Sequence, residues 1–136
     1  MKALIAEYDF ISRKLLEKIL SQYGKCDCVD SGKKAYEKFK NSLSNNSCYD
    51  LLIVDAMLPI IDSLDLLNNI RSLENEKYGI YGTGAECHRP SKIMLTTLSG
   101  EKNELIDELE NRFDILIEKP IEKEKVISEI KRIGLI

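Results

Sequence analysis

Tyr49-Asp50-Leu51-Leu52-Ile53-Val54-Asp55-Ala56-Met57-Leu58-Pro59 carries the clearest structural signal in the chain. Leu51 to Val54 is an unbroken apolar run. It lacks the alternation of a strand with one wet face, so it reads as a strand buried on both sides of a parallel sheet. Asp55 ends the run abruptly. In an open parallel α/β sheet, ligands sit beyond the carboxyl ends of the strands, which is where this carboxylate falls, and Pro59 keeps the adjoining residues out of helix. A single acid after a strand says little alone, since a plain loop aspartate looks the same. The other strands add to it.

On either side of this stretch, short apolar runs alternate with helical patterns. Ala3 to Ala6 is a first strand, followed by Glu7-Tyr8-Asp9. Asp9 can cap a helix that carries Ile11, Leu15, Ile19 and Tyr23 on one face with Leu16 and Leu20 beside them, and Gly24 supplies a stop. Lys25 to Val29 is a second strand, interrupted by Asp27, with Cys26 and Cys28 on one face. Asp30 or Ser31 caps a second helix with Ala35, Phe39 and Leu43 inward, and the polar SLSNNSC of residues 42–48 leads into the central strand. After Pro59, Ser63 opens a third helix with Leu66, Leu67, Ile70 and Leu73 inward.

Glu74 to Ser91, with Gly79, Gly82, Gly84 and Pro90, reads as one long irregular segment, a length that in a compact domain usually means function or mobility. Its G-x-x-G-x-G neither follows a strand nor opens a helix, so it is not a phosphate cradle. Ile93 to Leu95 is a fourth strand ending at Thr96-Thr97. Ser99 or Gly100 starts an acidic helix with Leu105, Ile106 and Leu109 inward. Ile115 to Ile117 is a fifth strand ending Glu118-Lys119-Pro120, and the last helix turns Val126, Ile127, Ile130 and Ile133 inward. Five strands alternating with five helices call for a parallel sheet with right-handed crossovers and helices on both faces.

Composition bounds what this fold can serve. The 136 residues suit one domain, expected over 1–136. Apolar residues at 43% and charged residues at 32% describe a globular protein, and no apolar run approaches the ~20 residues of a membrane span. The acid in MKALIAEYD stands where a signal peptide would still be apolar, so the expected location is the cytoplasm. A net charge of −3 offers no basic field to nucleic acid. Cys26, Cys28, Cys48 and Cys87 do not have the spacing of a zinc knuckle, and four reduced thiols are expected. Cys87-His88 is the only Cys/His neighbour pair, which is too little for a structural metal site. Met57 and Met94 read as core or pocket filler, and His88 as an exposed loop residue.

Four polar side chains stand at strand ends: Glu7, Asp55, Thr96 and Lys119. With the flavodoxin-like strand order 2-1-3-4-5, the first and third strands flank the switch point of a doubly wound sheet, and these side chains converge on one crevice. Two carboxylates can hold a hard divalent cation such as Mg²⁺, and one of them can attack phosphorus. The cation and the lysine can neutralise charge on a transferring phosphoryl group.

IAEYDFISRKLL, LLIVDAMLPIID, IMLTT and EKPI, in this order over essentially the whole chain, resemble the receiver domain of two-component response regulators, in particular the stand-alone, chemotaxis-regulator-like kind. The resemblance implies that Asp55 accepts a phosphoryl group from a phosphohistidine on a sensor histidine kinase or phosphotransfer protein. It implies Mg²⁺ held by Glu7, Asp55 and the backbone carbonyl of Met57, with Thr96 and Lys119 binding phosphoryl oxygens, and a cis bond before Pro120. Three departures stand out. The family's second acid after the first strand is Tyr8, a neutral phenol and a poor magnesium ligand. The aromatic usually three before the lysine is Leu116. The glycine that commonly follows Pro-x-x-Asp is Ser63, and the loop before the fourth strand is longer than usual.

The expected function is therefore a phosphoryl-accepting response regulator that is no enzyme beyond its own phosphorylation and dephosphorylation. Its signal would pass to a separate downstream protein through the surface of the fourth helix, fifth strand and fifth helix, with residues 74–91 as a second contact. The alternative, favoured by Tyr8, is a pseudo-receiver that binds protein without phosphate. A hydrolase or flavin binder on the same sheet lacks a visible water-positioning group or flavin phosphate loop.

Overall fold

A computed structural model describes residues 1–58, 62–81, 90–98, 107 and 112–136. Its strands are β1 (Lys2–Ala6), β2 (Lys25–Val29), β3 (Leu51–Asp55), β4 (Lys92–Leu98) and β5 (Ile115–Lys119). They form one parallel sheet in the order β2-β1-β3-β4-β5, the order expected from the sequence. Four helices are described: α1 (Phe10–Leu20), α2 (Gly32–Ser44), α3 (Ser63–Tyr81) and α4 (Lys123–Arg132). Five were expected; the acidic one beginning at Ser99 or Gly100 lies outside the described residues, as do Pro59 and His88.

Alternation along the strands sorts the core into two layers. Leu4, Ala6, Leu52, Val54, Ile93 and Leu95 pack with Ala35, Phe39 and Leu43 of α2 and with Leu66, Leu67 and Ile70 of α3. Ala3, Ile5, Leu51, Ile53, Met94, Ile115 and Ile117 pack on the other face with Leu16, Ile19 and Leu20 of α1 and with Val126 and Ile130 of α4. β3 is buried along its whole length, which is what its unbroken apolar run required.

The helix starts follow the capping logic. The Asp9 carboxylate accepts from the Ile11 and Ser12 amides, and Ser31, rather than Asp30, accepts from the Lys34 amide. At α3 the cap is Asp62, whose Oδ1 accepts from Asp65 N at 2.9 Å. Ser63 opens that helix as expected, and its hydroxyl donates to the Asp55 carbonyl at 2.7 Å.

Several expectations are corrected. Ile11 is 74% exposed, because the first turn of α1 overhangs the strand ends and finds no core beneath it. α1 ends at Leu20, so Gly24 is not its stop. It is instead a close-approach glycine, since a Cβ there would lie 1.6 Å from the Met1 carbonyl oxygen. α3 runs to Tyr81, well past the expected onset of irregular chain at Glu74. Glu74 is buried within it and accepts from Arg71 on its own helix and from the Ser91 amide at 2.7 Å.

β4 continues through Leu98, which places Thr96 inside the strand. Asp27 does not break β2, because the Tyr49 hydroxyl donates to it at 2.6 Å. Cys26 and Cys28 are free thiols, whereas Cys48 is disulfide-bonded, against the expectation of four reduced cysteines. Met94 is buried as expected, but Met57 is 57% exposed.

Candidate functional site

In a parallel sheet all carboxyl ends lie on one side, and residue parity decides which face each end residue takes. Glu7 continues the stripe of Ala3 and Ile5, Asp55 that of Leu51 and Ile53, Thr96 that of Met94, and Lys119 that of Ile115 and Ile117. All four therefore rise over the same face of the sheet, the one covered by α1 and α4. Strand order makes them neighbours: β3 lies between β1 and β4, and Asp55 is in register with Thr96.

The four side chains form a connected cluster. Lys119 Nζ donates to Glu7 Oε2 at 3.1 Å and to Asp55 Oδ2 at 3.2 Å. The Thr96 hydroxyl donates to Glu7 Oε1 in a short hydrogen bond. Met57 N donates to Asp55 Oδ1 at 3.0 Å, which orients that carboxylate just beyond the strand end. Glu7 and Thr96 are fully buried and Asp55 nearly so. Lys119 precedes a cis peptide bond to Pro120, as the resemblance implied.

Burial and the neighbouring Asp55 charge push the Glu7 carboxyl up to about 7, against the pull of Thr96 and Lys119. Burial alone would lower the Lys119 ammonium, but the two carboxylates outweigh it and raise the group, so it stays charged. A pair of buried carboxylates is tolerable here because one ammonium bridges them.

Three supports were not legible beforehand. Arg13, one turn into α1, reaches back with Nη1 to the carbonyls of Glu7 at 2.9 Å and Tyr8 at 3.2 Å, pinning the chain after β1. An arginine six residues after a strand-end acid is the sequence signal, and it is a faint one. Ser63 holds the Asp55 carbonyl, and Ala56 N donates to the Thr96 carbonyl at 2.8 Å, locking the end of β3 to β4.

Tyr8 is 65% exposed and stands outside the cluster's hydrogen bonds among the described residues. The set available to a metal is thus two carboxylates and whatever backbone carbonyl the loop after Asp55 presents. Among the described residues no group of three or more His, Cys, Asp or Glu side chains is placed to hold a metal ion. Hard oxygen donors fit Mg²⁺ in kind, but each of the four carboxylate oxygens already accepts from Lys119, Thr96 or Met57 N. Phe10, Ile11, Met57 and Leu98 are exposed, and of these Ile11 and Leu98 stand beside Lys119. Beside Lys119 a cavity of about 630 Å³ opens between Ile11, Leu15, Leu98 and Ile121.

The chain is similar to known proteins along nearly its whole length. The family model for the response regulator receiver domain matches residues 3–131. Hybrid signal transduction histidine kinase I of Dictyostelium discoideum is 27% identical over 121 residues, 88% of this chain but only 6% of the kinase. Two-component response regulator 24 of Arabidopsis thaliana is 25% identical, with 98% of this chain and 84% of that protein covered. Among solved structures, the receiver domain of a Pseudomonas aeruginosa PAO1 sensor histidine kinase, with a magnesium ion coordinated in its active-site cleft, matches with a TM-score of 0.73 at 19% identity, covering 96% of this chain and 94% of that one. A strand order of 2-1-3-4-5, a strand-end cluster of acid, hydroxyl and lysine, and a family match over residues 3–131 agree, and the chain belongs to the response regulator receiver domain family of two-component signalling.

Proposed function

We propose that Asp55 is the phosphoryl acceptor of this receiver, taking the group from a phosphohistidine on a histidine kinase or phosphotransfer protein. The observation that carries this reading is that Asp55, buried at the end of the central strand, keeps its carboxylate aimed by Met57 N and neutralised by Lys119. In the transfer a carboxylate oxygen of Asp55 forms the O–P bond as the N–P bond to the imidazole breaks, and the electron pair leaves with the ring nitrogen. Lys119 stays charged throughout and compensates the negative charge gathered on the phosphoryl oxygens. Thr96, in register beside Asp55, supplies a hydroxyl to one of those oxygens.

Mg²⁺ would be held by Glu7, Asp55 and the Met57 carbonyl, and when bound it supplies positive charge that eases the approach of two anionic groups. The exposed Ile11 and Leu98 beside Lys119 support a protein donor over a small free one, since apolar surface beside a reactive group is suited to docking. The test is labelling with acetyl phosphate and Mg²⁺ followed by intact-mass measurement. Wild type is expected to gain one phosphoryl group and Asp55→Asn none, with both folded. Undiminished labelling of Asp55→Asn would remove the assignment.

A second reading is favoured by one observation: the residue at the family's second metal acid, Tyr8, points to solvent. In that reading the chain is a pseudo-receiver that binds its partner without phosphate. Labelling also separates the two, since a pseudo-receiver takes up no phosphoryl group from acetyl phosphate at any Mg²⁺ concentration.

A further inference from the structure

Glu7 does something that a metal ligand alone need not do. Its two carboxylate oxygens receive two different donors: Thr96 on Oε1 and Lys119 on Oε2. Those are the two groups that, on the reading above, would bind the oxygens of a phosphoryl group on Asp55. Thr96 is fully buried, and its hydroxyl goes to Glu7 across β3 although its register neighbour is Asp55. Glu7 itself is fully buried and its backbone is held by Arg13 and by its own N–H to the Val29 carbonyl at 3.1 Å. It is an acceptor fixed in place, not a mobile side chain visiting the pocket.

We propose that Glu7 is a resident stand-in for the phosphoryl oxygens, a positioning residue that keeps Thr96 and Lys119 turned into the pocket before any phosphate arrives. This rests on the assignment of Thr96 and Lys119 as phosphoryl-binding groups. The consequence is a preset output surface. The ends of β4 and β5 follow directly from these two residues, through Thr97 and Leu98 on one strand and the Lys119-Pro120 junction on the other. Phosphorylation replaces one anion with another at donors already facing inward, so it changes this surface little. The residue at the usual aromatic position fits such a surface: Leu116 is half-buried against the α2 and α3 layer, on the sheet face opposite the cluster, and has no polar group to follow a moving hydroxyl.

The test compares backbone amide spectra of the full chain in metal-free alkaline buffer for wild type, Glu7→Ala, Glu7→Gln and Thr96→Val. Glu7→Ala is expected to displace the Thr97, Leu98 and Glu118 amides at least as far as Thr96→Val does, and Glu7→Gln, which keeps one acceptor oxygen, to displace them partway. If Glu7→Ala fails to fold, the near-isosteric Glu7→Gln decides. A second arm adds beryllofluoride and Mg²⁺ to wild type and is expected to move Thr97 and Leu98 less than half as far as Glu7→Ala does. Changes in the Glu7 variants confined to the end of β1 would overturn the proposal, as would a beryllofluoride shift at Thr97 and Leu98 larger than that of Glu7→Ala. If beryllofluoride does not bind at Asp55, the acceptor reading fails, while the variant spectra still decide whether Glu7 holds Thr96 and Lys119.

Discussion

A single residue, Tyr8, separates this pocket from one with three acids. Because its side chain is exposed and Arg13 holds its backbone carbonyl, Tyr8→Asp is expected to cost less than about 0.5 kcal/mol of stability. It should tighten Mg²⁺ binding, since a third carboxylate adds both charge and a hard oxygen. Calorimetric titration checks this, and equal affinity for the two proteins would mean that Glu7, Asp9 or water already completes the coordination. Glu7 carries a second residue-scale expectation. Its folded-state value of about 7 lies above the usual 4.5, so the folded chain binds more protons than the unfolded one between those values. Stability attributable to Glu7 is therefore fully present below about pH 4.5 and falls as pH rises towards about 7. Urea unfolding of metal-free protein across that window should show the decline in wild type and a flatter profile in Glu7→Gln.

At the scale of the elements, α3 is the informative case. Glycine, asparagine and scattered charge after Leu73 read as loop, yet the helix continues to Tyr81. Within it the Glu74 carboxylate is buried and accepts from Arg71 of the same helix and from the Ser91 amide just before β4. Ser91 in turn donates its hydroxyl to the Tyr49 carbonyl at 2.6 Å, so the helix, the start of β4 and the approach to β3 are tied at one point. Glu74→Ala leaves a buried N–H and a half-buried guanidinium without their acceptor. The expected loss is about 1–3 kcal/mol, read as a lower urea midpoint with little change in slope.

Over the whole molecule the cluster acts as a clasp, since Lys119 on β5 reaches over β4 to Asp55 at the end of β3 and on to Glu7 after β1. Lys119→Met removes the one ammonium shared by two buried carboxylates. The expected cost is about 3–5 kcal/mol in alkaline buffer, because the charges left behind are uncompensated. In acid the cost shrinks, as Glu7 takes up a proton and the pair carries one charge instead of two. Denaturant unfolding at both pH extremes checks the difference, and an equal loss at both would mean that Lys119 stabilises by packing and not by charge.

The layered order was legible in the sequence alone. The apolar run at 51–54, the alternation of short strands with helical stripes, and the polar residues that end each strand are local patterns, and local pattern is enough to place Glu7, Asp55, Thr96 and Lys119 at one edge of a parallel sheet. The identity of the cap at Asp9 was legible for the same reason. Which oxygen each donor chose was not legible there and follows from packing. That Thr96 turns to Glu7 and not to Asp55, that Ser63 closes on a carbonyl eight residues back, and that Glu74 meets Ser91 are outcomes of distances between segments far apart in the chain. No propensity or period encodes them, because each depends on how closely two packed layers bring groups that must be paired once water is excluded.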